Sequence, residues 1–251
     1  MKPSTAAKRL QRSAWMLAVF LVVASAFQLS PFRFDTRDVG SSLEAFEQNR
    51  FILMNAALVR VLIVFPATIL AVELFRRFAQ PTVSAFFLVG GALSVVAGVA
   101  NTVIGIPAEE LRPADADAHA IEVIGDVLFW TQDNLATVAN VAFASAAFSF
   151  AMWMWRQSFR QWWVLPGLAA LPLLATSTLS WYFSTPEKAN PVAAPWYAFF
   201  GIATLVAFVA WLVGMAHWAT GSGSQDLTEA ATDRPQVRHQ AQVHEGQPDE
   251  S

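Results

Sequence analysis

The sequence predicts an all-α protein, a polytopic transmembrane helical bundle of six spans. Its 251 residues are 55% hydrophobic and 14% charged, whereas soluble domains average about 45–50% apolar and about 25% charged residues. The apolar residues are gathered into long segments, and about 20 of them in a helix cross a bilayer core about 30 Å thick. Ten tryptophans and twenty phenylalanines fit this class, because aromatic side chains anchor spans at both membrane interfaces.

Six segments have the required length and hydropathy. They cover residues 14–30, 51–75, 82–105, 127–155, 161–183 and 195–218. Residues 1–13 form a basic segment before this membrane domain (14–218). Residues 219–251 are rich in Gln, Asp, Glu, Ser and Gly, and we expect a disordered cytoplasmic tail there because few large apolar side chains are present to build a core.

Basic residues are unequally distributed over the loops. If the six spans alternate, one side receives Lys2, Lys8, Arg9, Arg12, Arg76, Arg77, Arg156 and Arg160, while most acids lie on the other. Short cytoplasmic loops are enriched in Lys and Arg. We therefore expect a multi-pass protein of the bacterial cytoplasmic (inner) membrane with both termini cytoplasmic. A net charge of −3 does not indicate a nucleic-acid partner.

The first span has a second interpretation. Residues 8–27 combine a basic start, an apolar stretch and the small residues Ala24, Ser25 and Ala26, which is the pattern of a cleavable signal peptide. Cleavage would leave five spans, and mass analysis of the amino terminus would distinguish the two cases. We retain six spans because an uncleaved first span is the commoner arrangement in multispan proteins.

One arginine interrupts the apolar second span. Arg60 lies inside NAALVRVLIVFPATILAVELFRR, residues 55–77. A lipid-facing arginine near the bilayer centre costs at least about 2.5–3.5 kcal/mol, so such residues usually face the bundle and find a partner. At about 1.5 Å per residue, Asn101 and Asn140 fall in the outer third of the bilayer. The Cα of Arg60 is about 13 Å deep, and its long side chain can bring the guanidinium to roughly 7 Å.

Helical periodicity places more polar residues near Arg60. Asp126, Asp133 and Asn140 repeat every seven residues and share one face of the fourth span. Small residues suited to close helix contact lie in the neighbouring spans: Gly90, Ser94 and Gly98 lead to Asn101, and Ala56, Ala57 and Ala67 flank Arg60. We expect these three faces to meet inside the bundle, with Asp133 as the first acid partner of Arg60 and Asp126 as the second. Glu73, toward the opposite surface, is expected to pair with Arg76 or Arg77.

The polar group around Arg60 has two interpretations. In the first, an Arg–Asp–Asn network fixes how spans two, three and four pack. In the second, an outer-leaflet pocket of Arg60, Asn101, Asp133 and Asn140, with Asp126 beside it, binds an anionic small molecule or a lipid head group, because a guanidinium binds carboxylate or phosphate with two hydrogen bonds.

Other function classes are alternatives to a binding or interaction protein. A small-solute transporter would use the same site opening outward. A lipid-modifying enzyme would use Asp133 as base and Arg60 as anion clamp, and this class is less favoured because no Gly-rich phosphate loop, nucleophile elbow or paired-His motif occurs. No catalytic residue is predicted. The inner halves of the spans are mostly apolar, which argues against a pore.

An acidic loop contains weak candidates for a metal site. Asp115, Asp117 and His119 alternate within EELRPADADAHAIEVIGD, residues 109–126, and carboxylates with an imidazole suit a divalent cation. No recognised metal-loop signature is present, and acidic outer loops are ordinary in membrane proteins. We therefore predict neither a metal nor a cofactor. The chain has no cysteine, which excludes disulfides and thiolate ligands.

The layout resembles a family of uncharacterised six-span bacterial integral membrane proteins known as a domain of unknown function. The resemblance rests on FEQNRFILMNAALVRVL (residues 46–62), on a polar turn before the third span and on TQDNLATVANVAFASAAF (residues 131–148). It covers roughly residues 10–218 and implies a six-span helical fold, with no site residue or mechanism to transfer.

Overall fold

The computed structural model describes residues 5–28, 50–104, 118–157, 159, 161–183 and 193–220. Seven helices make up almost all of this part of the chain: α1 (Thr5–Gln28), α2 (Arg50–Leu62), α3 (Val64–Phe78), α4 (Pro81–Ile104), α5 (Ala118–Arg156), α6 (Val164–Phe183) and α7 (Ala193–Trp218). The predicted all-α helical bundle is confirmed. Residues 221–251 of the predicted tail lie outside the described ranges.

Four helical segments are long and apolar enough to cross a membrane. They are Met54–Phe78, Pro81–Ala100, Asn134–Arg156 and Phe199–Trp218, and Val164–Ser180 is a shorter apolar helix. In α1, Lys8, Arg9 and Arg12 occupy the first turns, which leaves an apolar part of about 24 Å, residues 13–28, at 1.5 Å per residue. Length and composition together indicate an integral membrane protein.

Helices α2 and α3 are two halves of one rod that is interrupted at Ile63. The interruption follows from Pro66, because proline has no N–H to donate to the carbonyl of Leu62 and its ring crowds that carbonyl. Hydrogen bonds from Ile63 N to Val59 O and from Ala67 N to Ile63 O, both 3.2 Å, continue the helical pattern across the break. Pro66 therefore lies in the first turn of α3, where its missing donor does least damage.

The rods form a closed ring in chain order. The α2–α3 rod packs against α1 and α4, α5 packs between α4 and α6, and α7 packs against α6 and returns to α1. Short connections between antiparallel neighbours favour this arrangement. Each rod therefore packs against two neighbouring rods, and only its outward side is left to face lipid.

Aromatic side chains fill the middle of the ring. Phe87, Phe150 and Trp211 are completely buried, and the ring centroids of Phe150 and Trp211 are 6.2 Å apart in an edge-to-face arrangement. A second group joins Phe78, Phe150, Trp153, Phe159, Trp163 and Trp218. Such pairs contribute about 0.5–1.5 kcal/mol beyond the area they bury. They hold the end of α3, the end of α5, the start of α6 and the end of α7 together.

These contacts define two ends of the bundle. The basic end is where α1 and α6 begin and where α3, α5 and α7 end, and the described basic residues there are Lys8, Arg9, Arg12, Arg76, Arg77 and Arg156. The far end is opposite, where α2 begins and α4 ends. Arg60 lies toward the far end.

Candidate functional site at the far end

Arg60 is buried in the bundle. Its exposed fraction is 7%, and the residue is engaged with neighbouring groups. The small residues on its side of the rod, Ala56, Ala57 and Ala67, are buried with it. An arginine directed into the bundle avoids the cost of a charge in hydrocarbon. The guanidinium therefore belongs to the protein interior and not to the lipid-facing surface.

The backbones of α2 and α4 approach closely beside Arg60. A Cβ built on Gly98 would be 2.8 Å from the carbonyl oxygen of Ala57 and 3.2 Å from Cβ of Arg60. Only glycine permits this approach, since real Cβ atoms almost never come so near to an oxygen. The Cβ of Arg60 thus lies directly against the main chain of α4.

The contact at Gly98 is part of a seam of small residues between the α2–α3 rod and α4. Seven residues earlier in α4, a Cβ on Gly91 would be 3.3 Å from Cβ of Ala67. Seven residues before that, the hydroxyl of Ser84 donates a hydrogen bond of 2.8 Å to the carbonyl oxygen of Ala71. Small residues at regular intervals allow helices in a membrane to pack closely.

The predicted seam of Gly90, Ser94 and Gly98 is divided between two neighbours. Gly90 faces α5, where its added Cβ would be 2.8 Å from Cε1 of Phe143, whereas Gly98 faces α2. Both contacts occur because α4 is packed between two helices. From Gly90 to Gly98 the helix makes two full turns plus about 80°. The two glycines therefore face different neighbouring helices.

The contacts of Gly98 and Gly90 set the relative heights of the polar residues. Gly98 lies beside Arg60, and Gly90 lies against the aromatic ring of Phe143. Counted along the antiparallel helices at 1.5 Å per residue, the backbone of Asp133 is about 3 Å farther toward the far end than Gly98, and that of Asn101 is about 4.5 Å farther. On this count Asn101 and Asp133 lie in the same part of the bundle as Arg60, toward the far end.

Two predicted members of the site lie at other heights. By the same count, the backbone of Asp126 lies about 14 Å beyond Gly98 toward the far end, and that of Asn140 about 7 Å toward the basic end. Asn140 is also exposed on the bundle surface, in contrast to the interior position expected for it.

The exposure of Asn140 has a geometric reason. The same side of α5 is covered by α6 nearer the basic end, where a Cβ on Gly167 would be 2.9 Å from Cβ of Ala151. Ala144, Ala147 and Ala151 are accordingly buried. Asn140, eleven residues before Ala151, is exposed.

The remaining site predictions concern side chains outside the described part. For Asn101, Asp126, Asp133 and His119 only the helical backbone is described, and Asp115 and Asp117 lie in the undescribed stretch 105–117. Among the side chains that are described, no group of three or more His, Asp or Glu is placed to hold a metal ion.

A second charged contact lies at the basic end. The side chain of Glu73 is 5% exposed, and its Oε1 is 3.8 Å from Nε of Arg9, whose side chain is 58% exposed. Arg77, four residues after Glu73, also interacts with it electrostatically. The sequence-based expectation included Arg77 but missed Arg9, because Arg9 belongs to another helix and no local pattern connects it to Glu73.

Comparisons with protein families, with curated proteins and with solved structures gave no match to this chain.

Proposed function

We propose that this chain is an integral protein of the bacterial cytoplasmic membrane that binds an anionic small molecule or lipid head group in a polar pocket beside Arg60. The observation that carries the proposal is the burial of Arg60, whose Cβ lies against Gly98 of α4. A guanidinium held among apolar helices binds carboxylate or phosphate strongly, because water competes little for its donors.

The proposed orientation places the basic end in the cytoplasm, with both termini on that side. It is supported by the gathering of Lys8, Arg9, Arg12, Arg76, Arg77 and Arg156 at one end of the bundle. Lys and Arg near the ends of spans are retained on the cytoplasmic side. The Arg60 pocket then belongs to the outer half of the membrane.

A small-solute transporter is the second candidate, and the buried charge of Arg60 supports it. Ionisable side chains that face the interior of a membrane bundle mark substrate and ion pathways in transporters. This candidate uses the same site and adds an opening of the bundle.

The binding proposal is tested by replacing Arg60 while retaining the fold. Arg60→Met replaces the guanidinium with an unbranched apolar side chain, and Arg60→Lys keeps the charge without the two-pronged donor. We expect sn-glycerol 3-phosphate or succinate to raise the thermal unfolding midpoint of the detergent-purified wild type. This shift should disappear in Arg60→Met and be reduced in Arg60→Lys. Asn140→Ala is the matched control, because Asn140 is exposed and lies about 7 Å from the height of Arg60.

A structural role for Arg60 gives a different pattern. In that case Arg60→Met changes the unfolding midpoint in the absence of anions, and neither anion shifts the midpoint of the wild type. Native mass spectrometry provides an independent measurement, since an anion that co-purifies with the wild type and with Asn140→Ala should be missing from Arg60→Met. Equal anion binding by wild type and Arg60→Met would overturn the proposal.

The transporter candidate requires movement of solute across a membrane. Proteoliposomes loaded with unlabelled succinate should then take up labelled succinate by counterflow, and Arg60→Met should abolish the uptake. If succinate binds but no counterflow occurs, transport of this solute is excluded and a role in binding remains supported.

A further inference from the structure

The groove between the start of α1 and the end of α3 is a second charged region, separate from Arg60. Arg9 reaches Glu73 across this interface, with Nε of Arg9 3.8 Å from Oε1 of Glu73. This contact gives the approximate relative height of the two antiparallel helices. Arg12, one turn after Arg9, then lies about 4.5 Å farther from the basic end, and Arg76, one turn after Glu73, lies about 4.5 Å nearer to it. Both side chains are exposed.

The described charges at the basic ends of α1 and α3, which flank this groove, are strongly unbalanced. Lys8, Arg9, Arg12, Arg76 and Arg77 contribute five positive charges, and Glu73 is the only acid among the described side chains here. Glu73 interacts with Arg9 and with Arg77. Since one carboxylate cannot neutralise five cations, the groove keeps a net positive charge.

Apolar side chains continue the groove away from the charges. Met16 lies two turns after Arg9 and is 46% exposed, and Ile69 and Phe65, one and two turns before Glu73, are 40% and 60% exposed. Guanidinium groups at one end and exposed apolar side chains along the rest match the two parts of a phospholipid, a charged head and acyl chains. Basic pockets between helices at the cytoplasmic face bind anionic lipid head groups.

We propose that the groove between α1 and α3 binds an anionic phospholipid of the cytoplasmic leaflet. Arg12 and Arg76 contact its phosphate, Glu73 holds Arg9 and Arg77 in position beside them, and Met16, Ile69 and Phe65 contact an acyl chain. The site differs from the Arg60 pocket in position, since the two lie toward opposite ends of the bundle, and in ligand, since it requires the acyl chains as well as the head group.

The test compares lipids that share acyl chains but differ in head-group charge. Delipidated full-length protein is titrated with phosphatidylglycerol or phosphatidylcholine in detergent, and bound lipid is counted by native mass spectrometry. We expect phosphatidylglycerol to bind and raise the unfolding midpoint more than phosphatidylcholine. The double variant Arg12→Gln/Arg76→Gln should bind phosphatidylglycerol about ten-fold more weakly, since each basic residue near the surface contributes measurably to anionic lipid binding. Arg12→Lys/Arg76→Lys should retain most of the affinity.

Two controls separate this site from other sources of lipid binding. Arg156→Gln removes an exposed arginine from the end of α5, at the same end of the bundle but on a helix that does not flank the groove, and should bind phosphatidylglycerol like the wild type. Arg60→Met should also retain phosphatidylglycerol binding at the basic end, so that failure of the Arg60 proposal leaves this one testable.

Three results would overturn the proposal. Equal binding of phosphatidylglycerol and phosphatidylcholine would show that charge is not recognised. An equal loss of phosphatidylglycerol binding in Arg156→Gln and Arg76→Gln would show that the lipid responds to the general positive charge of the basic end and not to this groove. Displacement of phosphatidylglycerol by an equimolar concentration of sn-glycerol 3-phosphate would show a site for a free phosphate and not for a lipid.

Discussion

Gly98 of α4 lies against the carbonyl oxygen of Ala57 in α2, so closely that a Cβ on Gly98 would be 2.8 Å from that oxygen. The two helices pack backbone to backbone at this point, and Arg60 is the next charged residue along α2. Any side chain at position 98 would push the helices apart and displace Arg60 with them. The contact thus connects helix packing to the candidate site.

Gly98→Ala should therefore destabilise the protein by about 1–3 kcal/mol, the usual cost of inserting atoms into a tightly packed interior. The measurement is the thermal or denaturant unfolding midpoint in detergent. Gly201→Ala is the control, because a Cβ there would be 3.5 Å from Oγ of Ser177, an ordinary contact distance. Equal losses in both variants would contradict the close approach.

Ser84→Ala should lower stability by about 0.5–1.5 kcal/mol, the net value of a typical hydrogen bond. The Ser84 hydroxyl donates to the carbonyl oxygen of Ala71 at 2.8 Å and so connects α4 to α3. Thr204→Val is the control, since the Thr204 hydroxyl donates to the carbonyl of Phe200 within its own helix. The loss should be larger in Ser84→Ala than in Thr204→Val when both are unfolded under the same conditions.

Ala79→Gly should stabilise the protein by about 1 kcal/mol. Ala79 ends α3 in the left-handed conformation, with φ 50° and ψ 44°, and its N–H donates to the carbonyl of Phe75 at 2.9 Å. This conformation costs an L-residue about 1–2 kcal/mol, which glycine avoids. Ala85→Gly, within α4, should have the opposite sign because glycine weakens a helix interior. A lower midpoint for Ala79→Gly would be inconsistent with the left-handed cap.

Arg9→Gln should cost less than about 1 kcal/mol by itself. Arg9 is largely exposed, which weakens its ion pair with Glu73, and Arg77 remains to interact with that carboxylate. Arg9→Gln/Arg77→Gln should cost more than the sum of the single changes, since the buried Glu73 charge then loses both cations. A double-mutant cycle on unfolding midpoints measures this coupling, with Lys8→Gln as a control for loss of charge. Strict additivity would contradict a shared carboxylate.

The bundle could be predicted because its cause is local in sequence. Each apolar segment must become a helix in a membrane, where every backbone donor and acceptor has to be satisfied within the segment. The inward direction of Arg60 was predictable for a similar reason, since hydrocarbon penalises a charge whatever the neighbouring helix is. The break at Ile63 follows from Pro66.

The candidate site was less predictable. Helical periodicity gave the side of α5 on which Asn140 lies, but not whether another helix covers that side at that height. It also left open which neighbouring helix Gly90 and Gly98 each contact; the first faces Phe143 and the second faces Ala57. Both points stayed open because a helical wheel specifies angles about an axis and says nothing of the neighbouring helices.

The sequence by itself determined that this chain is all-helical, that its helices are suited to a membrane, and that Arg60 points into the protein. Solvent and lipid enforce these features on each segment separately. Only the tertiary structure decided that Gly98 stands beside Arg60, that Glu73 meets Arg9 and that Asn140 is left exposed. These contacts join residues far apart in the chain, and their geometry depends on how two particular surfaces of small and large side chains fit together.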